Sequence, residues 1–424
     1  MNQLPANAAR HVLLVALGSA GDVHPFVGIA LELIRRGHTV SIASNPMFED
    51  LIRSAGADFF PLGTVEDYHS TTENPDLWHP TKGFKLVIQF GFINPMQPVY
   101  EFIRDRYQPG KTIVAAHCLA LGARIAQEHL GVPLATLHMS PAVLRSVHQM
   151  ANLKGGHLPD WAPKFLKRLL YFTVDKLLID PMLVKPVNEF RRELGLTDRV
   201  SRIMKDWWMS PESVIGIFPE FFSPLQPDWP AQLKLTSFPL YDAGGHESVP
   251  AELEAFLAAG EPPVVVTPGS ANRHAQEHFA TAVAACVALK RRGVLLSKFP
   301  ENVPPNLPPT IRHFPYAPLS QILPRCAALV CHGGVGTIAQ ALAAGVPQVI
   351  MALAHDQHDN GARIARLGVG RWVDSKGFNT RFLTRALGEL LDNPEVAAKC
   401  AKYKAELAGH NGIAETCDLI ERLG

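Results

Sequence analysis

The chain has 424 residues, 47% of them hydrophobic and 19% charged, which is ample for more than one buried core and excludes a disordered chain. Forty Lys and Arg stand against 39 Asp and Glu, a net charge of +1 that leaves no electrostatic footprint for nucleic acid. Six scattered cysteines, Cys118, Cys286, Cys326, Cys331, Cys400 and Cys417, form no CxxC pair; they read as buried thiols in a reducing compartment rather than a zinc or disulfide framework.

No apolar run reaches the roughly 18–20 residues needed to cross a bilayer. The first run, HVLLVAL before GSAG, mimics a signal peptide, but a helix and a second strand follow at once, as in a first βα unit. A cytoplasmic address is expected. His11–Leu17 suits a strand buried on both faces, Pro25 is taken as the start of the helix FVGIALELIRR, and TVSIAS is the next strand. The pattern returns as KTIVAA, LGARIAQEHLG and VPLATLHM, so the first half reads as an open, mostly parallel α/β sheet.

Between about Arg145 and Trp208 the chain turns to helical segments rich in Leu, Lys, Phe and Trp. The proline-dense FPEFFSPLQPDWP and the polar YDAGGHESVP follow as the best linker. Alternation then restarts with PPVVVTPGS, the helix EHFATAVAACVALKRRG and the strand VLLSKF. After the loop PENVPPNLPPT come IRHFPYAPLSQILPRCAALVCHGG, a helix expected over Ile338–Ala344, the polar turn AHDQHDN, the helix GARIARLG and the strand GVGRWV. The expected organisation is a first domain over 1–240, a second over 241–405, and a segment 406–424 whose helix ETCDLIERL packs back on the first domain.

Four features carry chemistry. In HGGVGT, His332, Gly333, Gly334, Gly336 and Thr337 sit between a strand and a helix start, where bare backbone and unpaired N–H groups suit a diphosphate. A tight turn without ligand is the alternative. In LAHDQHDN, Asp356 and Gln357 fall at a strand end and offer the acceptors and donor that sugar hydroxyls require. A solvated turn, or a metal held by His355, His358 and Asp359, competes with that reading. Asp22, in GSAGDVHP, follows the first strand and serves either as a general base or as the cap of the helix expected at Pro25; His24 is the competing base. The fourth is PKFLKRLLYF, where Lys164, Lys167 and Arg168 sit beside Phe165, Leu166, Leu169 and Leu170. That mixture fits either a membrane surface or a solvated face over a core stripe. GxGxxG and GxxxxGK[ST] are both absent, which disfavours a nicotinamide dehydrogenase and a P-loop kinase.

Together, HGGVGTIAQALAAGVPQVIMALAHDQHDN, YAPLSQIL and GSAGDVHPFVGIALELIRRGHTV resemble the nucleotide-sugar glycosyltransferases of GT-B fold, over nearly the whole chain. More narrowly, DLWHPTKGF, LGARIAQEHLGVP, FPEFFSPLQPDWP and SFPLYD are similar to rhamnosyltransferases that make rhamnolipid from dTDP-L-rhamnose and a 3-hydroxyalkanoyl lipid. The resemblance implies an α/β fold of two Rossmann-like domains facing across a cleft and inverting transfer with Asp22 as the base. Tyr316 would stack on the nucleobase while the Ala317 backbone reads its edge. His332, Gly334, Gly336 and Thr337 would hold the diphosphate, with Ser270 of the TPGS turn nearby, and Asp356 and Gln357 the sugar. The donor implied is a dTDP- or UDP-sugar, the acceptor a hydrophobic alcohol met in the cytoplasm or peripherally at the inner membrane. Its apolar wall is expected in the insertion from Arg145 to Trp208. No D-x-D occurs, so neither a metal nor a cofactor is expected.

One departure stands out. Where many members carry a glutamate that grips both ribose hydroxyls, this chain has Gln340, which is tolerable if the sugar is deoxyribose. A UDP-glucose-type enzyme acting on a small natural product, a nucleotide-sugar epimerase and a silent nucleotide-sugar-binding module remain the alternatives.

Overall fold

The computed structural model describes residues 9–423 apart from 80–81, 155–156, 243–247, 270–272 and 274. It divides into two compact units. The first takes the chain through Ala151, then Gly155–Pro239 and Gly412–Gly424; the second takes Asn152–Lys154 and Leu240–Asn411.

The first unit is built on seven parallel strands, β1 (His11–Val15), β2 (Thr39–Ser44), β3 (Asp58–Pro61), β4 (Thr112–His117), β5 (Leu134–His138), β6 (Ser213–Gly216) and β7 (Leu233–Leu235). Their order is β3-β2-β1-β4-β5-β6-β7. Val12, Leu13, Leu14 and Val15 are fully buried, as a strand covered on both faces requires. The order reverses between β1 and β4, which pair in register from His11 with Thr112 to Val15 with Ala116. Ligands of open α/β sheets bind beyond the strand ends at such a reversal.

The helix after β1 begins at Ala20, not at Pro25, and Pro25 lies inside it. Ser19 is the N-cap, so the start is set by the turn before the proline. At the other end of the chain, the helix Gly412–Glu421 docks on this first helix. Arg36 Nη1 donates to Asp418 at 2.6 Å and to Glu421 at 2.7 Å, and His38 Nε2 lies 2.8 Å from Glu421. A Cβ at Gly412 would stand 2.3 Å from the Ser237 carbonyl oxygen, so only glycine fits this approach.

The insertion after β5 forms the helix Lys164–Val174, a wide π turn over Asp175–Ile179 and the helix Asp180–Glu193. Ile179, Leu183, Val187 and Phe190 join the core with Ile88, Phe92 and Trp208. The helix Lys164–Val174 departs from a solvated charged face over a core stripe. Lys167 is buried, its Nζ donating to the Asp160 carbonyl at 3.0 Å, while Phe165, Leu166, Leu169 and Phe172 are exposed.

The second unit carries six parallel strands, β8 (Val264–Thr267), β9 (Gly293–Leu296), β10 (Ile311–Phe314), β11 (Ala328–Cys331), β12 (Gln348–Ala352) and β13 (Gly370–Asp374), in the order β10-β9-β8-β11-β12-β13. Its reversal lies between β8 and β11. Two helices again start earlier than their apolar spacing suggests, Val335–Ala344 and Gln357–Leu367. Among the described residues no helix is long and apolar enough to cross a membrane.

Candidate active site

In the first unit the site grows from the ends of β1 and β4. Gly18, at φ 122°, turns the chain after β1; a Cβ there would lie 2.3 Å from Asp22 Oδ2. That space lets the Asp22 carboxylate fold back on the helix start. Its Oδ2 accepts from the Ser19 amide at 2.8 Å and from Ser19 Oγ at 3.2 Å. Asp22 is therefore part of the cap, though of a helix that begins five residues before the one the sequence suggests. Its Oδ1 faces His117 Nε2, at the end of β4, across 3.8 Å.

Asp22 is 34% exposed, yet burial still pushes its carboxyl above the usual range, opposed by the two Ser19 donors. A carboxylate made more basic while still reached by solvent suits proton abstraction. His117 is pushed down to about 4 by burial, so it is neutral at pH 7. The Leu119 amide donates to its Nδ1 at 3.2 Å, which assigns the ring proton to Nε2, the nitrogen aimed at Asp22. Sequence reasoning missed His117. Its only signal was a histidine closing an apolar strand.

In the second unit the same geometry recurs at β8 and β11. His332 follows β11, and its ring is held between two glycines. A Cβ at Gly269, beyond β8, would lie 2.8 Å from its Cε1, and one at Gly334 would lie 2.6 Å from its Nε2. Gly333, at φ 90°, leaves no room either, because a Cβ would meet Ile350 at 2.7 Å. Gly336 differs: nothing lies within 4 Å of its added Cβ. Two of the three glycines after His332 thus serve packing, and the third leaves open backbone.

Gly334 is the N-cap of the helix Val335–Ala344, so the amides of Val335, Gly336 and Thr337 form its first turn, where N–H groups have no partner within the helix. Burial holds His332 down to about 4, and its Nδ1 is buried without a hydrogen-bond partner. A neutral imidazole, a threonine hydroxyl and helix N–H groups beside an open glycine are groups able to donate to an anion. Gln340 lies one turn further along this helix and is buried.

Asp356 is the N-cap of the helix Gln357–Leu367, which makes the expected polar turn partly helical. Asn360, fully buried, spends one amide hydrogen on the Gly333 carbonyl at 2.9 Å and the other on Asp356 Oδ2 at 2.8 Å. It ties the glycine turn after β11 to the Asp356 carboxylate. Gln357 Oε1 accepts from the Leu353 and Ala354 amides at 2.8 and 3.2 Å, so these bonds use its oxygen and not its Nε2. Asn360 was not singled out in the sequence, although it stands one helical turn after Asp356.

The competing metal trio is not assembled. His358 Nε2 lies 3.0 Å from Asp374, Asp359 accepts from Arg363 at 2.7 Å, and among the described residues no group of three His, Cys, Asp or Glu could hold a metal ion. Tyr316 follows β10 and is half-buried, its hydroxyl donating to the Asp242 carbonyl at 2.8 Å, while Ala317 is buried. The Asp242 carboxylate accepts from the Ser320 amide at 2.7 Å and from its hydroxyl at 3.0 Å, which fixes this loop. Ser270 lies outside the described residues.

Residues 12–149 match the glycosyltransferase family 28 N-terminal domain, and residues 294–423 match the C-terminal domain of erythromycin biosynthesis protein CIII-like proteins. The chain is 28% identical to the O-mycaminosyltylonolide 6-deoxyallosyltransferase of Streptomyces fradiae, over 97% of this chain and 96% of that one. Among solved structures, the glycotransferase of kitacinnamycin superposes with a TM-score of 0.75 at 22% identity, covering 98% and 99% of the two chains. The spinosyn rhamnosyltransferase SpnG complexed with thymidine diphosphate gives 0.66 at 19% identity, covering 96% and 99%.

Proposed function

We propose that this chain, a nucleotide-sugar glycosyltransferase of GT-B fold with a family 28 N-terminal domain and an erythromycin-CIII-like C-terminal domain, moves L-rhamnose from dTDP-L-rhamnose to the hydroxyl of a 3-hydroxyalkanoyl-type lipid. The observation that carries the thymidine donor is Gln340. Its amide grips a vicinal diol less strongly than a carboxylate does, which suits the deoxyribose of dTDP. The SpnG structure, a rhamnosyltransferase holding thymidine diphosphate, supports the same choice.

The reaction is a single displacement with inversion. Asp22 Oδ1 takes the proton of the acceptor hydroxyl as that oxygen forms its bond to the anomeric carbon. The bond from that carbon to the diphosphate oxygen breaks in the same step. The charge left on the departing dTDP is met by the first-turn amides of Val335–Ala344, by His332 and by Thr337. Asp356 and Gln357 Nε2 hold the sugar hydroxyls. Tyr316 and the Ala317 backbone receive the base. The acceptor chain runs along the insertion from Arg145 to Trp208, in the cytoplasm at the inner membrane, where such a lipid is drawn.

The test is calorimetric titration with dTDP and UDP, followed by transfer from dTDP-L-rhamnose to a 3-hydroxyalkanoyl acceptor. Tighter binding of dTDP and rhamnosylated product are expected; a UDP preference overturns the donor. A second reading keeps the fold and a deoxysugar donor but takes a natural-product acceptor, as the name of the Streptomyces fradiae relative suggests. Product from such an alcohol and none from the lipid would select it.

A further inference from the structure

We infer that the outer face of the helix Lys164–Val174 is a docking surface for an anionic membrane. Phe165, Leu169 and Phe172, spaced i, i+4 and i+7, share one face of this helix and are 64%, 56% and 53% exposed. Trp161, just before it, is 84% exposed, and Leu177, in the π turn after it, 70%. Large apolar groups in a row across one surface are costly in water unless something covers them.

Charge names the cover. The insertion from Arg145 to Trp208 holds twelve Lys and Arg against seven Asp and Glu, in a chain whose net charge is only +1. Lys164 and Arg168 are exposed beside the apolar row. Asp175 and Asp180 are buried, as are the cations Lys167 and Arg191, so burial leaves the cation excess unchanged; Asp175 is bonded to Arg145 at 2.6 Å. Lys176, next to Leu177, also lines an open groove of about 690 Å³, where Lys185, Arg192 and Arg199 outnumber Asp180 and Glu189.

An apolar row with a tryptophan at one end and cations along its edge fits the boundary between acyl chains and acidic headgroups. Eleven residues make a helix only ~16 Å long, which lies in that plane and does not cross it. A second copy of the chain would bring one cation excess against another, so self-association is disfavoured.

This deepens the proposed contact with the membrane by naming its surface, and its test reads lipid binding, so it is independent of which sugar or acceptor is used. The full chain is sedimented with phosphatidylcholine vesicles that contain or lack phosphatidylglycerol. Binding to the phosphatidylglycerol vesicles, weakening as salt rises, is expected. The triple variant Phe165→Ser, Leu169→Ser, Phe172→Ser and the charge variant Lys164→Glu, Arg168→Glu, Lys176→Glu should each lower the bound fraction by about tenfold or more. Unchanged dTDP affinity and melting temperature show that the variants fold. Absence of binding to acidic vesicles, or binding that neither variant alters, overturns the inference. So does a dimer in sedimentation velocity that the serine variant abolishes.

Discussion

Asp22 Oδ1 faces His117 Nε2 across 3.8 Å, joining the ends of the two strands between which the first sheet reverses its order. Because burial raises the Asp22 carboxyl, the base form is lost at a higher pH than for an ordinary carboxylate. The rate of transfer should therefore fall on acidification along a limb displaced upward from the usual carboxylate range. His117→Phe removes the N–H aimed at Oδ1 and should move that limb further up, with the KM for donor unchanged. A pH profile of kcat for both proteins checks this; coincident limbs would remove His117 from the positioning of Asp22.

Gly334→Ala places a methyl group 2.6 Å from His332 Nε2. The ring must leave its slot, so dTDP affinity should drop by about tenfold or more, the scale of one charge-assisted hydrogen bond. Gly336→Ala meets no protein atom and is expected to fold as the parent does. If it too weakens dTDP, as measured by titration, the open space belongs to the ligand.

Asn360→Ala deletes both bonds that link the Gly333 carbonyl to Asp356. The buried carbonyl loses that donor, which costs about 1–3 kcal/mol of stability. Asn360→Asp should do worse for donor binding, since it turns an acceptor toward a carbonyl and a second carboxylate. Thermal unfolding and dTDP titration of both variants measure the two effects.

His138 is fully buried, neither ring nitrogen meets a hydrogen-bond partner, and Trp208 packs edge-on against it at 5.1 Å. Burial lowers it to about 3, below its unfolded value, so the unfolded chain binds the extra proton as pH falls from 6.5 toward 3. Stability is lost in that window by up to ~1.4 kcal/mol per pH unit for this one group. His138→Phe should raise the melting temperature at pH 7 and reduce its drop between pH 7 and pH 5. An unchanged drop would locate the acid sensitivity elsewhere.

Much of this architecture is legible in the sequence, because a doubly covered parallel strand must be a short apolar run. TVSIAS coincides with β2, and the glycine turns mark the strand ends. Helix starts were less legible. Pro25 and Gly361 are natural boundaries by type, but both helices begin earlier, one in the capping box of Ser19 and Asp22 and the other directly after Asp356, which makes no side-chain cap bond. The short edge strand β7 leaves too few residues to show an alternation. Periodicity sorts the residues of the helix Lys164–Val174 into faces without saying which face is covered, and here Lys167 lies inside and Phe165 outside. His117 and Asp22 are brought together only by the strand order.

The central claim is that Asp22 removes the acceptor proton, and Asp22→Asn tests it most directly, since the amide keeps the shape and loses the basicity. Single-turnover transfer from dTDP-L-rhamnose, measured beside dTDP affinity, should fall by a factor of about 10²–10⁴ while affinity stays within about twofold of the parent. Transfer by Asp22→Asn at a rate close to the parent's would contradict the account.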